Sequence, residues 1–101
     1  MVMTNKMRAI HPGEILRDEI EFLGLSANQF AMKLHVPANR ITSILNGKRS
    51  ITAETALRLS RFFGTTPEFW INLQTSYDLK MEYSRSWKDI THQVERRSSA
   101  A

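Results

Sequence analysis

The chain has 101 residues and no cysteine. That excludes disulfides, thiolate nucleophiles and cysteine-ligated metals, and it suits a reducing compartment. No apolar run approaches the ~18–20 residues a membrane span requires. The opening residues, MVMTNKMRAIHPGE, lack the apolar stretch of a signal peptide, so a cytoplasmic location without membrane contact is expected. Glycine-rich phosphate loops, nucleophile elbows and paired catalytic carboxylates are also missing, and an enzyme is not expected. The most informative absence is of negative charge. No Asp or Glu occurs between Glu21 and Glu54, while Lys33, Arg40, Lys48 and Arg49 fall inside that gap.

What is present describes one ordinary globular core. Hydrophobic residues make up 42% and charged residues 24%, and the formal net charge is +4. Residues 14–21, EILRDEIE, are strongly acidic, so the basic excess lies downstream of them. Distribution of charge says more about partners than its sum.

Helical punctuation is clear along the chain. Pro12 suits a first helical position, where its missing N–H costs nothing. Ile15, Leu16, Ile20 and Leu23 follow at helical spacing, and Gly24 can close the helix in left-handed geometry. Ser26 and Gln29 form a capping box for a second helix, whose buried side is Phe30, Ala31 and Leu34. The turn Leu34-His35-Val36 leads to Pro37, which also suits a first helical position. A third helix then runs to about Asn46 with Ile41, Ile44 and Leu45 inward. Thr52 caps a fourth helix with Ala56, Leu57, Leu59, Phe62 and Phe63 as its apolar face, and Gly64 stops it. Thr66 caps a fifth helix carrying Phe69, Trp70, Leu73 and Tyr77. Farther on, Tyr83, Trp87, Ile90 and Val94 form one stripe of a candidate sixth helix, and ERRSSAA is polar enough to fray. No strand pattern competes, so the fold class is all-α.

The pair of short helices from Leu25 to Gly47, joined by a tight turn and free of acid, is what docking on a phosphate backbone requires. In a helix-turn-helix the start of the second helix enters the major groove. With Ile41 and Ile44 inward, Pro37, Ala38, Asn39, Arg40, Thr42 and Ser43 are the candidates there. Asn39 can pair with adenine and Arg40 with guanine or phosphate, while Ala38 or the Thr42 methyl can meet a thymine methyl. Ser26 and Gln29 are capping residues first, at a helix start that favours anions. Asn46, Lys48 and Arg49 follow the recognition helix as candidate phosphate contacts. Two-fold pairing of the chain would repair the low selectivity of a lone module, and Tyr77 and Met81 are candidates for the seam.

The strings HPGEIL (residues 11–16), LSANQFAMKL, NGKR, ITAETALRL and TPEFWINLQ together resemble the lambda-repressor-like, Cro/C1-type helix-turn-helix class, and within it the HigA-type or VapI-like antitoxins. The resemblance covers roughly residues 9–80. It implies a five-helix DNA-binding domain over residues 11–80, after an N-terminal arm at 1–10 and before a C-terminal extension at 81–101. It also implies a dimer that represses its own operon on double-stranded operator DNA. A small basic toxin that cleaves mRNA, neutralised by this chain, is the further partner it implies. A stand-alone repressor without a toxin is the alternative. One departure stands out: the tight turn usually carries Gly where this chain has His35.

His11 and Glu14 share an H-x-x-E spacing, but two ligands are not a metal site, and His35 and His92 add no matching pair. No metal or cofactor is expected, and His11 reads as a cap or a surface residue. Phe62, Phe63, Phe69 and Trp70 read as core rather than as a stacking platform for single strands. The stripe from Tyr83 to Val94 should need a surface: its own domain, a second copy of the chain, or the toxin. The acidic outer face of the first helix (Glu14, Asp18, Glu19, Glu21) is a second candidate surface for a basic toxin.

Overall fold

A computed structural model describes residues 8–97. Among them are five helices and no strand: α1 (Pro12–Phe22), α2 (Ala27–Leu34), α3 (Ala38–Leu45), α4 (Ala53–Phe63) and α5 (Pro67–Gln93). Most of the expected arm, residues 1–7, and the last four residues of the tail lie outside the described residues.

Local chemistry sets most helix starts. Ser26 Oγ accepts the Gln29 N–H and Gln29 Oε1 accepts the Ser26 N–H, closing the expected box. Thr52 and Thr66 accept the N–H groups of Thr55 and Phe69. His11 caps α1: its Nδ1 accepts the Gly13 N–H at 2.9 Å, and Glu14 reaches back to the His11 N–H. Pro37 departs from expectation. It is the residue before α3, extended at ψ 145°, and without a side-chain acceptor it leaves that helix start uncapped. His35 does take the left-handed turn position, at φ 59°.

Leu16, Ile20, Phe30, Ala31, Leu34, Ile41, Ile44, Leu45, Ile51, Ala56, Leu59 and Trp70 form one core. Each large member contributes roughly 1.5–3 kcal/mol by leaving water. Phe30 meets Phe62 edge-on, and Phe63 lies between Phe30 and Trp70. These rings are core, as expected. Leu23, Leu57 and Phe69 are not: the helical spacing is right, but all three sit at the margins of their apolar faces and are exposed.

The largest departure is at the C-terminal end. No Gly or Pro follows Pro67, so nothing in the backbone stops α5, and it runs 27 residues without a break. The candidate sixth helix is its second half. At 1.5 Å per residue α5 is about 40 Å long, which accounts for most of the molecule's 54 Å principal extent. Its first half is tied to the body through buried Trp70 and Gln74. Tyr83, Trp87, Ile90 and Val94 lie beyond the body and are exposed, so packing on the chain's own domain is ruled out for this stripe.

Candidate nucleic-acid interface

α2 and α3 are joined by apolar packing, and side chains from α1, α4 and α5 fix their ends and the loop that follows. Phe30, Ala31 and Leu34 of α2 meet Ile41, Ile44 and Leu45 of α3 in the common core. Gly13 lets α1 cross α3 closely, since a Cβ there would lie 1.9 Å from the Ile44 carbonyl oxygen. Arg17 Nη2 donates to the Leu45 carbonyl at 3.3 Å and to Asn46 Oδ1 at 3.2 Å, closing the end of α3. Arg58 Nη1 donates to the Leu34 carbonyl at 2.9 Å, closing the end of α2. In the loop after α3, the Ile51 N–H donates to buried Gln74 Oε1 at 2.8 Å.

On this frame Asn39 and Thr42 are exposed, and Ala38, Arg40 and Ser43 are partly covered. Thr42 Oγ1 donates to the Asn39 carbonyl at 3.3 Å. Pro37 is exposed at the head of the helix. Ser26 and Gln29 are exposed too, with each side-chain oxygen engaged in the capping box and the Gln29 amide –NH2 outside it. Lys48 and Arg49 are exposed in the following loop. Neither α2 nor α3 has an acid in its first turn. Free N–H groups at a helix start, without a competing carboxylate, make the local field attractive to phosphate.

Two candidates carry structural duties as well. Asn46 accepts from Arg17. Arg40 Nη1 is paired with Glu54 Oε1 at 2.7 Å, and Glu54 Oε2 also accepts from Arg58 Nε at 2.6 Å. The Glu54 carboxyl is held below its ordinary range, first by the hydrogen bond from Arg58 and then by that from Arg40. Sequence reasoning assigned no role to Arg17 or Arg58, and none in this cluster to Glu54. The Glu54–Arg58 spacing of four residues on a helix was a usable signal. Arg40 and Glu54 are 14 residues apart, and no local pattern announces them.

His11 is buried, not at the surface. Burial pushes its pKa down, against the pull of Asp78, Glu14 and a hydrogen bond to the Arg49 backbone. It therefore joins the start of α1 to the loop that carries Lys48 and Arg49. Among the described residues no three His, Asp or Glu side chains could together hold a metal ion. None of the described helices is long and apolar enough to cross a membrane.

A helix-turn-helix family model matches residues 16–70, which take in the whole of the α2–α3 pair. Virulence-associated protein I of Dichelobacter nodosus is 56% identical over 78 residues, covering 76% of this chain and 72% of that one. A HigA-family addiction-module antidote protein from Coxiella burnetii has the same fold at a TM-score of 0.86, with 62% identity over 89% of this chain and 99% of that one. The chain belongs to the HigA family of helix-turn-helix proteins. A further HigA, the antitoxin of Pseudomonas aeruginosa, whose structure includes the higBA promoter, matches at a TM-score of 0.86 and 41% identity over 90% of this chain and all of its own. HigA-like similarity thus reaches well beyond the helix-turn-helix pair. The five-helix architecture read from the sequence is the one these HigA structures share.

Proposed function

We propose that this chain is the antitoxin of a toxin–antitoxin pair, acting in the cytoplasm by binding rather than catalysis. It binds operator DNA as a homodimer to repress its own operon, and it neutralises an mRNA-cleaving toxin. The observation that carries the DNA reading is the exposed, acid-free face of α2, α3 and the following loop. Its likeness to a HigA solved with promoter DNA supports the same reading. Asn39 and Arg40 read base edges, Ala38, Thr42 and Ser43 line the groove contact, and Pro37 sets the entry of the helix. Ser26, Gln29, Asn46, Lys48 and Arg49 hold phosphates. Two copies related by a two-fold axis place two such helices about one DNA turn apart on a palindromic site.

The test uses DNA from upstream of the chain's own coding sequence. Asn39→Ala and Arg40→Ala should each lose roughly 1–3 kcal/mol of discrimination between that DNA and a scrambled duplex. Specific binding unchanged in the double variant would sink the assignment.

The same DNA face would serve a repressor with no toxin partner equally well. Co-expression decides between them: a small basic open reading frame beside the gene should be toxic alone and harmless with this chain. If no such frame exists, the stand-alone repressor is the better reading.

A further inference from the structure

The guanidinium on the proposed reading helix is not a free side chain. Arg40 Nη1 donates to Glu54 Oε1, Arg58 Nε donates to Glu54 Oε2, and Arg58 Nη1 donates to the Leu34 carbonyl, at 2.7, 2.6 and 2.9 Å. One carboxylate at the start of α4 thus binds two cations. One of those cations is itself anchored on the last turn of α2, and the other projects from α3. Three helices meet in this relay, and it is built on the first acid to follow the acid-free stretch.

Stability is a poor reason for it. The Glu54 side chain is 54% exposed, and ion pairs in such surroundings contribute little. What the relay does is orient. A long arginine normally samples many rotamers, and ordering it on binding weakens the contact. Here one amino group is already held, while Nη2 and Nε keep their N–H groups for a partner. Electrostatics act in the same direction. A guanidinium paired with a carboxylate is a weaker clamp for phosphate, whose attraction is indifferent to sequence. Its planar donor fork is still suited to a base edge.

We infer that Glu54 is a positioning residue for operator discrimination: through Arg40 it aims the base-reading donors and restrains binding driven by phosphate alone. The inference rests on the DNA-binding reading above and adds to it a residue that touches no DNA.

Two duplexes of equal length test it by fluorescence anisotropy, one selected by the wild-type chain from a random library and one of unselected sequence. Glu54→Gln should bind the unselected duplex about three- to tenfold more tightly, because a negative charge near the phosphates is gone. It should also lower the ratio of selected to unselected affinity about tenfold. A residue that merely supported the fold would weaken both duplexes. In an Arg40→Ala background the same change should leave the ratio where Arg40→Ala alone puts it. A wild-type ratio in Glu54→Gln overturns the inference, as does an undiminished effect without Arg40. A wild-type chain that selects no duplex at all overturns the DNA-binding reading instead.

Discussion

The imidazole of His11 meets the ring of Tyr77 edge-on, with centroids 4.9 Å apart and planes at 76°. The contact puts an N-terminal cap of α1 against α5, although the two residues lie far apart in sequence. The ring is buried, its Nδ1 accepts the Gly13 N–H, and its other side bonds the Arg49 backbone. That pattern requires the neutral tautomer with the proton on Nε2. Tyr77, a candidate for the dimer seam, is thus partly occupied within its own chain.

Stability is therefore expected to fall as pH drops below the ordinary histidine value of 6.5. Burial depresses the folded pKa, so in the window below 6.5 the unfolded chain takes a proton that the folded chain refuses. Stability then declines with falling pH until the folded pKa is reached. Asp78 and Glu14 both favour the charged ring and narrow this window. Glu14 and Glu54, whose pKa values are lowered by Arg8 and by Arg58 with Arg40, add a separate loss only at pH below 4.5. Thermal melts of wild type and His11→Asn between pH 8 and 5 check this. Asn keeps a capping oxygen without the titration, so its profile should be flatter down to pH 5.

Gly13 and Gly24 should respond oppositely to alanine. At Gly13 the new methyl would stand 1.9 Å from the Ile44 carbonyl oxygen, and backbone cannot swing away as a side chain does. Gly13→Ala is expected to cost about 3 kcal/mol or more, by pushing α1 off α3. At Gly24 nothing lies within 4 Å, and only the left-handed φ of +72° opposes a side chain. Gly24→Ala should cost about 1 kcal/mol. Urea denaturation measures both, and equal costs would show that the close crossing at Gly13 is not what holds these helices.

Much of this fold was legible because its boundaries are written locally. Ser26, Thr52, Thr66 and Gly64 each act within a few residues of themselves, and the structure uses them as their chemistry dictates. The exposed side chains of α3 were legible for the same reason: once Ile41 and Ile44 face inward, helical geometry sends Asn39 and Thr42 outward. Contacts made across the fold were not legible. Arg17 with Asn46, Arg58 with Leu34 and Gln74 with Ile51 each depend on how elements distant in sequence come together. The unbroken α5 is a different case. Its signal was the absence of any Gly or Pro after Pro67, while the stripe beginning at Tyr83 fits a separate helix equally well.

His35 sits in left-handed geometry at φ 59°, where a β-carbon costs roughly 1–2 kcal/mol. Glycine would relieve that strain but lose more entropy on folding, by roughly 0.5–1 kcal/mol. His35→Gly should thus stabilise the chain by about 0.5–1 kcal/mol, a rise of a few degrees in Tm. Calorimetry reads this directly. A lower Tm would mean that the His35 side chain contributes contacts of its own at the turn.

Lys48 and Asn46 are neighbours in the same loop with different duties. Lys48 is exposed and free to meet a phosphate, whereas Asn46 is bonded to Arg17. Lys48→Ala should weaken every DNA sequence alike and reduce the slope of log affinity against log salt by about one. Asn46→Ala should add a loss of thermal stability, because Arg17 loses an acceptor. Titrations at several salt concentrations, paired with melts, distinguish the two. A sequence-selective loss from Lys48→Ala would move that residue from the phosphate contacts to the base contacts.

The exposed second half of α5 is the place to test assembly. Tyr83 and Trp87 pack their rings 5.1 Å apart, and Ile90 and Val94 continue the stripe beyond them. An isolated helical arm of this kind is marginal in water and gains by covering its apolar side. With the chain's own body out of reach, the remaining surfaces are a second copy and the toxin. The second copy is the expected occupant, since operator recognition in the proposed function needs two reading helices. Light scattering at micromolar concentration should give a dimer for the full chain and a monomer for Tyr83→Ala/Trp87→Ala. The monomeric variant should also bind its operator far more weakly, through loss of the second half-site. Toxin neutralisation separates the other possibility. If Tyr83→Ala/Trp87→Ala stays dimeric but no longer protects cells that express the toxin, the stripe belongs to the toxin. If that variant protects and Asp18→Lys/Glu19→Lys does not, the acidic face of α1 is where the toxin docks.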